Sequence, residues 1–225
     1  MNQNSHWYLT SIGAKLVMAA TGVLLFGFLV GHLTGNLLMF AGPDAMNTYA
    51  HWLKERGGLL WGARLGLLVV FAVHIASAIR VNRQNRAARP VAYAVSSFMA
   101  TSYAARTILV SGIIILAFVV YHLLHYTLGV TNPEYLRMFD VKGRPDVYGM
   151  VVSGFSNPTV TGAYIVAMLL LASHLSHGLT SLFQTFGLYG PKFRPFSTKL
   201  GPVVAILIFI GFVSIPLAVL SGRLH

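Results

Sequence analysis

The stretch from Thr107 to Pro133, TILVSGIIILAFVVYHLLHYTLGVTNP, contains no aspartate, glutamate, lysine or arginine. About 20 consecutive apolar residues are enough for a helix to cross the hydrocarbon core of a bilayer. This stretch therefore predicts a transmembrane helix, and it holds two histidines, His122 and His125. Ionisable side chains are costly inside a membrane span and usually serve a function there, so the same stretch indicates both a fold and a site.

Four further apolar stretches account for most of the remaining chain. Uncharged segments cover 16–43, 147–191 and 200–222, and the apolar run 59–79 is interrupted only by Arg64. The chain is 56% hydrophobic and only 9% charged, which is too little polarity for the surface of a soluble domain. We therefore predict an all-α membrane protein built as a bundle of five transmembrane helices. The predicted single domain is 1–225, and its helices are about 12–40, 59–81, 106–128, 159–187 and 199–222.

The charges of the loops predict the orientation of the bundle. If the N-terminus is cytoplasmic, all five acidic residues fall in outer loops, whereas the inner segments carry only basic side chains. These are Lys15, Arg80, Arg83, Arg86, Arg89, Arg106, Lys192, Arg194 and Lys199. An excess of lysine and arginine marks cytoplasmic loops. We therefore expect a multi-pass protein of the bacterial inner (cytoplasmic) membrane, in contact with lipid, with its C-terminus outside. The rule also accounts for the net charge of +11 without nucleic acid as a partner.

Six of the nine histidines lie within the predicted spans, and their depths form two matched pairs. His32 lies ~25 Å and His122 ~24 Å outward from the basic residues near the start of their spans, at a rise of about 1.5 Å per residue. His74 and His174 each lie ~22 Å inward from the outer ends of their spans. The depths therefore pair His32 with His122 in the outer leaflet and His74 with His174 in the inner leaflet.

These pairs predict two bis-histidine haem sites, because neutral imidazole is an axial ligand of haem iron. His125 and His177 lie one turn nearer the interfaces. We expect them to line a haem propionate or a quinone, with an ordinary hydrogen bond between helices as the alternative. Arg64, Arg80 and Arg106 lie at span ends, where they can contact propionates or, alternatively, lipid headgroups.

The order of motifs along the chain resembles a known family. The motifs are Ser11-Ile-Gly-Ala-Lys15, Met18-Ala-Ala-Thr-Gly22, Gly31-His32-Leu33, Gly35-Asn36-Leu37, Phe71-Ala-Val-His74 with Arg80 six residues later, Ser111-Gly112 with His122 ten residues later, and His174-Leu-Ser-His-Gly178. This set is similar to the five-helix, di-haem cytochrome b subunits of succinate dehydrogenases and fumarate reductases. In that family four histidines hold two b haems, and they correspond to His32, His74, His122 and His174.

The resemblance implies a membrane anchor and electron-transfer subunit of succinate:quinone oxidoreductase. It implies an iron–sulfur partner, a flavoprotein partner that carries the succinate site, and a membrane quinone, with menaquinone favoured over ubiquinone. Assembly of the whole complex into a higher-order homo-oligomer is compatible with it. The family's fumarate reductases have an acidic residue at nearly the distance of Glu55 from the first-helix histidine, so Glu55 is a candidate for outer proton transfer; a surface ion pair with Lys54 or Arg56 is the alternative. Ser11 and Lys15 are the candidates for an inner quinone site.

Two other classes of protein remain as alternatives. The first is a cytochrome b anchor of another respiratory enzyme, such as a hydrogenase, formate dehydrogenase or quinol:cytochrome c reductase. The last of these places its paired ligands on the same two helices, whereas here each histidine of the two pairs lies on its own helix. The second alternative is a haem-free transporter that uses the histidines as a proton relay. Such a protein would more naturally carry carboxylates within its spans, and the predicted spans have none.

Overall fold

The computed structural model describes residues 10–88 and 103–225, which are almost entirely helical. Apart from one isolated β-bridge between Phe139 and Pro145, these residues form no strand. The α-helices are α1 Ser11–Asn36, α2 Pro43–Glu55, α3 Gly57–Ala87, α4 Tyr103–Arg106, α5 Ile108–His122, α6 Val147–Phe155, α7 Pro158–Thr185 and α8 Arg194–Leu220. Short 3-10 helices occupy Leu37–Ala41 and Pro133–Arg137, and a π-helical turn, Leu123–Thr127, extends α5.

Five helical stretches are long and apolar enough to cross a membrane, which confirms the predicted fold class. They are Ser11–Ala41, Gly57–Ala87, Ile108–Thr127, Pro158–Thr185 and Arg194–Leu220. The boundaries agree with the prediction to within two residues, except at the end of the second stretch and the start of the fifth. The second stretch continues to Ala87. The prediction ended it at 81 because the last turns of the helix are polar and an apolar pattern does not include them. The third begins at Ile108, since the helix breaks at Thr107. The fifth begins at Arg194, because Pro195 in its first turn needs no amide donor.

Two antiparallel helix pairs form the bundle. In the first helix pair α1 packs along α3, in the second helix pair α5 packs along α7, and α8 packs along α7 and touches α1. Gly201 of α8 approaches α7 so closely that a Cβ atom there would lie 2.5 Å from the Ser176 carbonyl oxygen. A Cβ atom on Gly211 would lie 2.8 Å from a methyl carbon of Leu33 in α1. Small residues allow this approach between membrane helices, so α8 joins the two pairs.

The two ends of the bundle differ in charge. At the end where α1 begins, which we call the basic end, the charged residues of the described helices and of the loop before α8 are all basic. They are Lys15, Arg80, Arg83, Arg86, Arg106, Lys192, Arg194 and Lys199; Arg89, predicted to belong with them, lies outside the described residues. At the other end, the capped end, α2, α6 and the loop 128–146 cover the helices and hold all five acidic residues. This asymmetry is the pattern on which the predicted orientation depends.

A buried asparagine fastens α2 to the start of α6 at the capped end. Asn47 is 1% exposed, and its Nδ2 donates to Asp146 Oδ1 at 2.9 Å. Its Oδ1 accepts from the backbone amide of Tyr148 at 2.9 Å. Asp146 also caps α6 by accepting from the Gly149 amide at 2.9 Å. Because a buried amide needs its hydrogen bonds satisfied, these contacts fix α2 against α6.

An ion-pair network joins α2 to the loop 128–146. Arg144 donates from Nε to Asp140 Oδ2 at 2.8 Å and from a terminal nitrogen to Asp44 Oδ1 at 2.8 Å. Lys142 Nζ donates to the same Asp44 oxygen at 2.6 Å. The hydrogen bond from Arg144 lowers the pKa of the Asp140 carboxyl to about 2, and the bonds from Lys142 and Arg144 lower the pKa of Asp44. Ion pairs therefore help to hold the loop 128–146 against α2 at the capped end.

Candidate haem-binding site

The first histidine pair lies toward the capped end, between α1 and α5. The ring centres of His32 and His122 are 5.9 Å apart, with the ring planes at 83°. Each ring lies beside a phenylalanine one turn earlier on its own helix, Phe28 at 5.4 Å and Phe118 at 5.9 Å. A spacing of four residues places side chains on the same helix face, so each phenylalanine helps to orient its histidine toward the other helix.

This separation fits the group that the sequence predicts. Two metal–nitrogen bonds of about 2 Å on opposite sides of one ion place the centres of two imidazole rings roughly 6 Å apart. The observed 5.9 Å agrees with that value. Both rings are half-buried, as ligands that face a bulky group between helices would be. The residues present therefore fit a haem held between α1 and α5.

His74 of α3 is anchored to α1 in a way that selects one tautomer. Its Nδ1 lies 3.1 Å from the Met18 carbonyl oxygen and 3.1 Å from Thr21 Oγ1. The Thr21 hydroxyl uses its own hydrogen on a carbonyl of α1, that of Val17 at 2.8 Å. A carbonyl only accepts, so Nδ1 must carry the proton. In the neutral ring Nε2 then has a free lone pair, which is what an axial ligand requires.

His174 of α7 is anchored to α5 in the same manner. Its Nδ1 lies 3.2 Å from Ser111 Oγ, and that hydroxyl donates to the Ile108 carbonyl oxygen at 3.0 Å. The serine oxygen therefore accepts from the ring, and Nε2 of His174 is again left with its lone pair. The second histidine pair thus takes one member from each helix pair, and each member is oriented by a hydroxyl of the adjacent helix.

The second pair lies toward the basic end, with His74 on the first helix pair and His174 on the second. A glycine follows each anchoring hydroxyl and lies against the ring. A Cβ atom on Gly22 would lie 3.5 Å from His74 Cε1, and one on Gly112 would lie 3.6 Å from His174 Cε1. His74 is level with Gly22, which precedes His32 by ten residues, so the two histidine pairs lie about 15 Å apart along the bundle.

A cavity of about 550 Å³ opens beside this pair, between α1 and α3. Its size is that of a typical ligand pocket. Apolar residues from both helices line it together with four polar side chains, Ser77, Arg80, Arg83 and Gln84. Arg80, predicted to contact a propionate, lies on the wall of this cavity, six residues after His74.

The other two predicted propionate contacts lie near aromatic rings. The Arg64 guanidinium carbon is 5.2 Å from the centre of the Trp61 ring, and that of Arg106 is 5.8 Å from the Tyr103 ring. Arg64 is also close to Lys54 at the end of α2. Partial burial, and next the charge of Arg64, lower the pKa of Lys54. Arg64 thus lies toward the capped end and Arg106 at the basic end, at opposite ends of the bundle.

His125 is fully buried within the protein. It is 1% exposed, and its ring is surrounded by tyrosines, with Tyr126 at 4.0 Å and Tyr121 at 5.3 Å between ring centres. Its Nδ1 lies 3.1 Å from the Tyr164 hydroxyl, which is also 3.3 Å from His122 Nδ1. This placement agrees with the alternative of a histidine bonded between helices.

The predicted quinone and proton residues are spread over both ends. Ser11 and Lys15 are exposed in the first turns of α1, and His177 is half-buried one turn from His174 toward the basic end. Glu55 ends α2 at the capped end, where its Oε1 lies 3.2 Å from His51 Nε2, and its side chain is 60% exposed. The structure therefore pairs Glu55 with a histidine of its own helix rather than with Lys54 or Arg56.

The sequence did not predict that three side chains orient the histidines, although a signal exists for two of them. The segment TGVLLFGFLVGH, residues 21–32, and the segment SGIIILAFVVYH, residues 111–122, share a hydroxyl, a glycine, a phenylalanine and a histidine at equal spacing. That repeat marks Thr21 and Ser111. Tyr164 has no such signal, because it is 42 residues from His122 in sequence.

One curated protein resembles the chain along nearly its whole length. The succinate dehydrogenase cytochrome b558 subunit of Bacillus subtilis (strain 168) is 26% identical over an alignment of 215 residues that covers 93% of each chain. No family model matches the chain, and no solved structure matches it significantly. The likeness supports the family that the histidine motifs resemble, and together with the five apolar helices it indicates an integral membrane protein.

Proposed function

We propose that this chain is the membrane anchor and electron-transfer subunit of a succinate:quinone oxidoreductase. It passes electrons between an iron–sulfur partner and a membrane quinone. The observation that carries the proposal is the set of two histidine pairs at two depths, in which the neighbouring helix occupies Nδ1 of three rings and leaves Nε2 for iron. The similarity to a succinate dehydrogenase cytochrome b558 subunit supports the same assignment.

Each histidine pair holds one haem b in this proposal. His32 and His122 provide the axial ligands of the outer haem, toward the capped end, and His74 and His174 provide those of the inner haem. A haem held by two histidines in this way would supply single-electron transfer. The Thr21 and Ser111 hydroxyls keep Nδ1 protonated and Nε2 available, which orients the ligands before the cofactor arrives.

Basic side chains are the natural partners of the propionates. Arg80 is the best placed of them, because it lines the cavity beside the inner pair. Arg106 serves the same end of the bundle, and Arg64 serves the capped end. A guanidinium binds a carboxylate through two parallel hydrogen bonds, so an arginine fixes the edge of the macrocycle as well as its charge.

The basic end is the docking surface for the iron–sulfur protein, on the cytoplasmic side of the bacterial inner membrane. The flavoprotein that carries the succinate site joins through that partner, so the chain acts as one subunit of the enzyme. The apolar side chains of α3 that remain exposed, such as Leu65, Leu68 and Val69, contact lipid. The whole complex can associate further into a homo-oligomer.

Quinone, with menaquinone preferred, exchanges its protons with water at a membrane surface. Glu55 is the candidate acid/base at the capped end, where its contact with His51 gives it a second titratable group. Ser11, Lys15 and His177 are the candidates at the basic end. In the Glu55→Gln variant we expect slower quinone turnover, with haem content, assembly and succinate oxidation by an artificial acceptor unchanged. Unaltered quinone turnover in that variant would move attention to the basic end.

Purification of the chain within its complex tests the proposal. We expect a pyridine haemochrome assay to find two haems b per chain, and a flavin-bearing subunit to co-purify with it. A chain without haem would support a histidine relay in a transporter instead. Two haems together with a hydrogenase or formate dehydrogenase partner would identify the anchor of another respiratory enzyme.

A further inference from the structure

We propose that Tyr164 is a positioning residue for the outer haem. Its hydroxyl accepts a hydrogen bond from His122 Nδ1 and donates one to His125 Nδ1, and this chain of bonds sets how strongly His122 donates to iron. The inference rests on the proposed function, because it requires iron at His122 Nε2.

The three side chains meet where α7 faces the end of α5. Tyr164 belongs to α7 and is 6% exposed, and its hydroxyl lies 3.3 Å from His122 Nδ1 and 3.1 Å from His125 Nδ1. His125 lies in the π-helical turn, and turns of this kind occur frequently at functional sites. One phenol therefore bridges a ligand candidate and a fully buried histidine.

The direction of the bonds follows from counting protons. If iron binds His122 at Nε2, the neutral ring must carry its proton on Nδ1, which then donates to the Tyr164 oxygen. The phenol has one hydrogen of its own, and the other ring nitrogen beside it is Nδ1 of His125. His125 therefore accepts that hydrogen and carries its own proton on Nε2.

The surroundings strengthen this chain of bonds. Aromatic rings enclose it, with Phe118 at 5.0 Å, Phe155 at 5.0 Å and Tyr126 at 5.9 Å from the Tyr164 ring centre. Hydrogen bonds in such a medium polarise one another. A phenol that already donates is a better acceptor, so it draws the His122 proton and raises the basicity of Nε2. A more basic axial ligand stabilises the oxidised iron.

The consequence is a lowered midpoint potential for the outer haem alone. Removing the Tyr164 hydroxyl should raise that potential, because His122 then has no phenol acceptor. Outer-shell partners change metal-site properties by about 10- to 100-fold, and a tenfold change in a one-electron equilibrium corresponds to about 59 mV. We expect a shift of that order for the outer haem and none for the inner haem.

A redox titration of the purified complex, followed by the optical spectrum and the low-spin electron paramagnetic resonance signal of each haem, tests this. Tyr164→Phe should raise the outer potential, and His125→Phe should raise it by less, because the phenol still accepts from His122. Tyr126→Phe is the matched control. Its ring also contacts both histidines, and its buried hydroxyl has no hydrogen-bond partner among the described residues. Its outer potential should match that of the wild type.

The outcomes separate this inference from the proposed function. Unchanged potential and resonance signal in Tyr164→Phe, with both haems bound, would overturn the role of Tyr164 and leave the proposed function standing. Loss of only the outer haem in Tyr164→Phe, with Tyr126→Phe intact, would support it. If both phenylalanine variants lose that haem, an unshifted potential in His125→Phe overturns it. A wild-type chain without haem would overturn the proposed function, and this inference with it.

Discussion

The two histidine pairs are oriented by different means. Toward the basic end, His74 and His174 are each fixed by a hydroxyl that is itself bonded to a main-chain carbonyl of the next helix. Toward the capped end, His122 shares a phenol with His125, and His32 is bordered by the rings of Phe28 and Phe212. The main-chain carbonyls of the first arrangement are fixed by the helices, whereas the aromatic side chains of the second can be changed by substitution. The basic-end pair is thus the more rigid site, and the capped-end pair is the more readily tuned.

The two ends of the bundle also differ in how their surface charges are paired. At the capped end, opposite charges are paired within the chain, between Asp44, Asp140, Lys142 and Arg144. At the basic end, the described residues include no acidic side chain. The charges of the capped end are thus balanced partly within the chain, whereas the described residues of the basic end carry an excess of positive charge.

Replacing a ligand should produce the largest effect and should act on one pair only. In His74→Ala or His174→Ala we expect loss of the inner haem, because a single imidazole cannot fill both axial positions, with much of the outer haem retained. Haem content by pyridine haemochrome, with the spectrum of the remaining haem, measures this. His177→Ala is the control and should keep both haems. Loss of a whole haem in the control would mean that the ligand lies one turn further along α7.

Reversing charge at the basic end should impair assembly. Arg83→Glu with Arg86→Glu places two carboxylates where an iron–sulfur partner would dock, so we expect the yield of the complex to fall severalfold. Gel filtration of the solubilised complex measures the yield. Arg137→Glu at the capped end is the matched control and should assemble normally. Normal assembly of the double variant, with topology verified by labelling, would show that these arginines serve membrane orientation alone.

Removing a hydroxyl anchor should weaken the inner site without abolishing it. Thr21→Val keeps the shape of the side chain but removes one of the two oxygens that accept from His74, so we expect about a 10- to 100-fold loss of inner haem affinity. Ser111→Ala should do the same through His174. Thr34→Val is the control, since that exposed hydroxyl only bonds to the Val30 carbonyl of its own helix. Haem retention during detergent washing would reveal the order of affinities, and equal retention in all variants would contradict the anchoring role.

Lowering the pH should weaken the ion pairs that hold the loop 128–146 at the capped end and should leave the basic end unaffected. The pKa of Asp140 is lowered to about 2 from 3.8 by its bond with Arg144, so the stabilisation is complete above pH 3.8 and is lost as the pH falls through about 2. Lysine and arginine do not titrate in this range. Hydrogen-exchange protection of the loop 128–146, corrected for intrinsic rates, should fall in that window. In Asp140→Asn the protection should start lower and change less with pH; the same fall in both proteins would exclude this ion pair as the cause.

The sequence predicted what depends on depth and missed what depends on packing across the bundle. Helix rise alone pairs His32 with His122, and the structure brings those rings together. The contact between Asn47 and Asp146 spans 99 residues, and no periodicity within one helix reports it. The role of Tyr164 could not be predicted either, because its contact with His122 also joins residues far apart in sequence. From the sequence alone, a tyrosine in an apolar run looks like an ordinary interfacial side chain. An apolar pattern also cannot predict where a helix ends if its last turns are rich in arginine, as in α3.

The repeated segments 21–32 and 111–122 have a consequence for how the protein is made. Each helix pair supplies one histidine to the capped-end pair and one to the basic-end pair, so neither half contains a complete site. During synthesis, α1 and α3 enter the membrane before α5 and α7 exist, so the capped-end pair cannot close until α5 brings His122, and the basic-end pair cannot close until α7 brings His174. A cofactor bound at either level then cross-links the two halves and stabilises the assembled bundle by mass action. If haem binds as proposed, its loading is therefore coupled to completion of the fold.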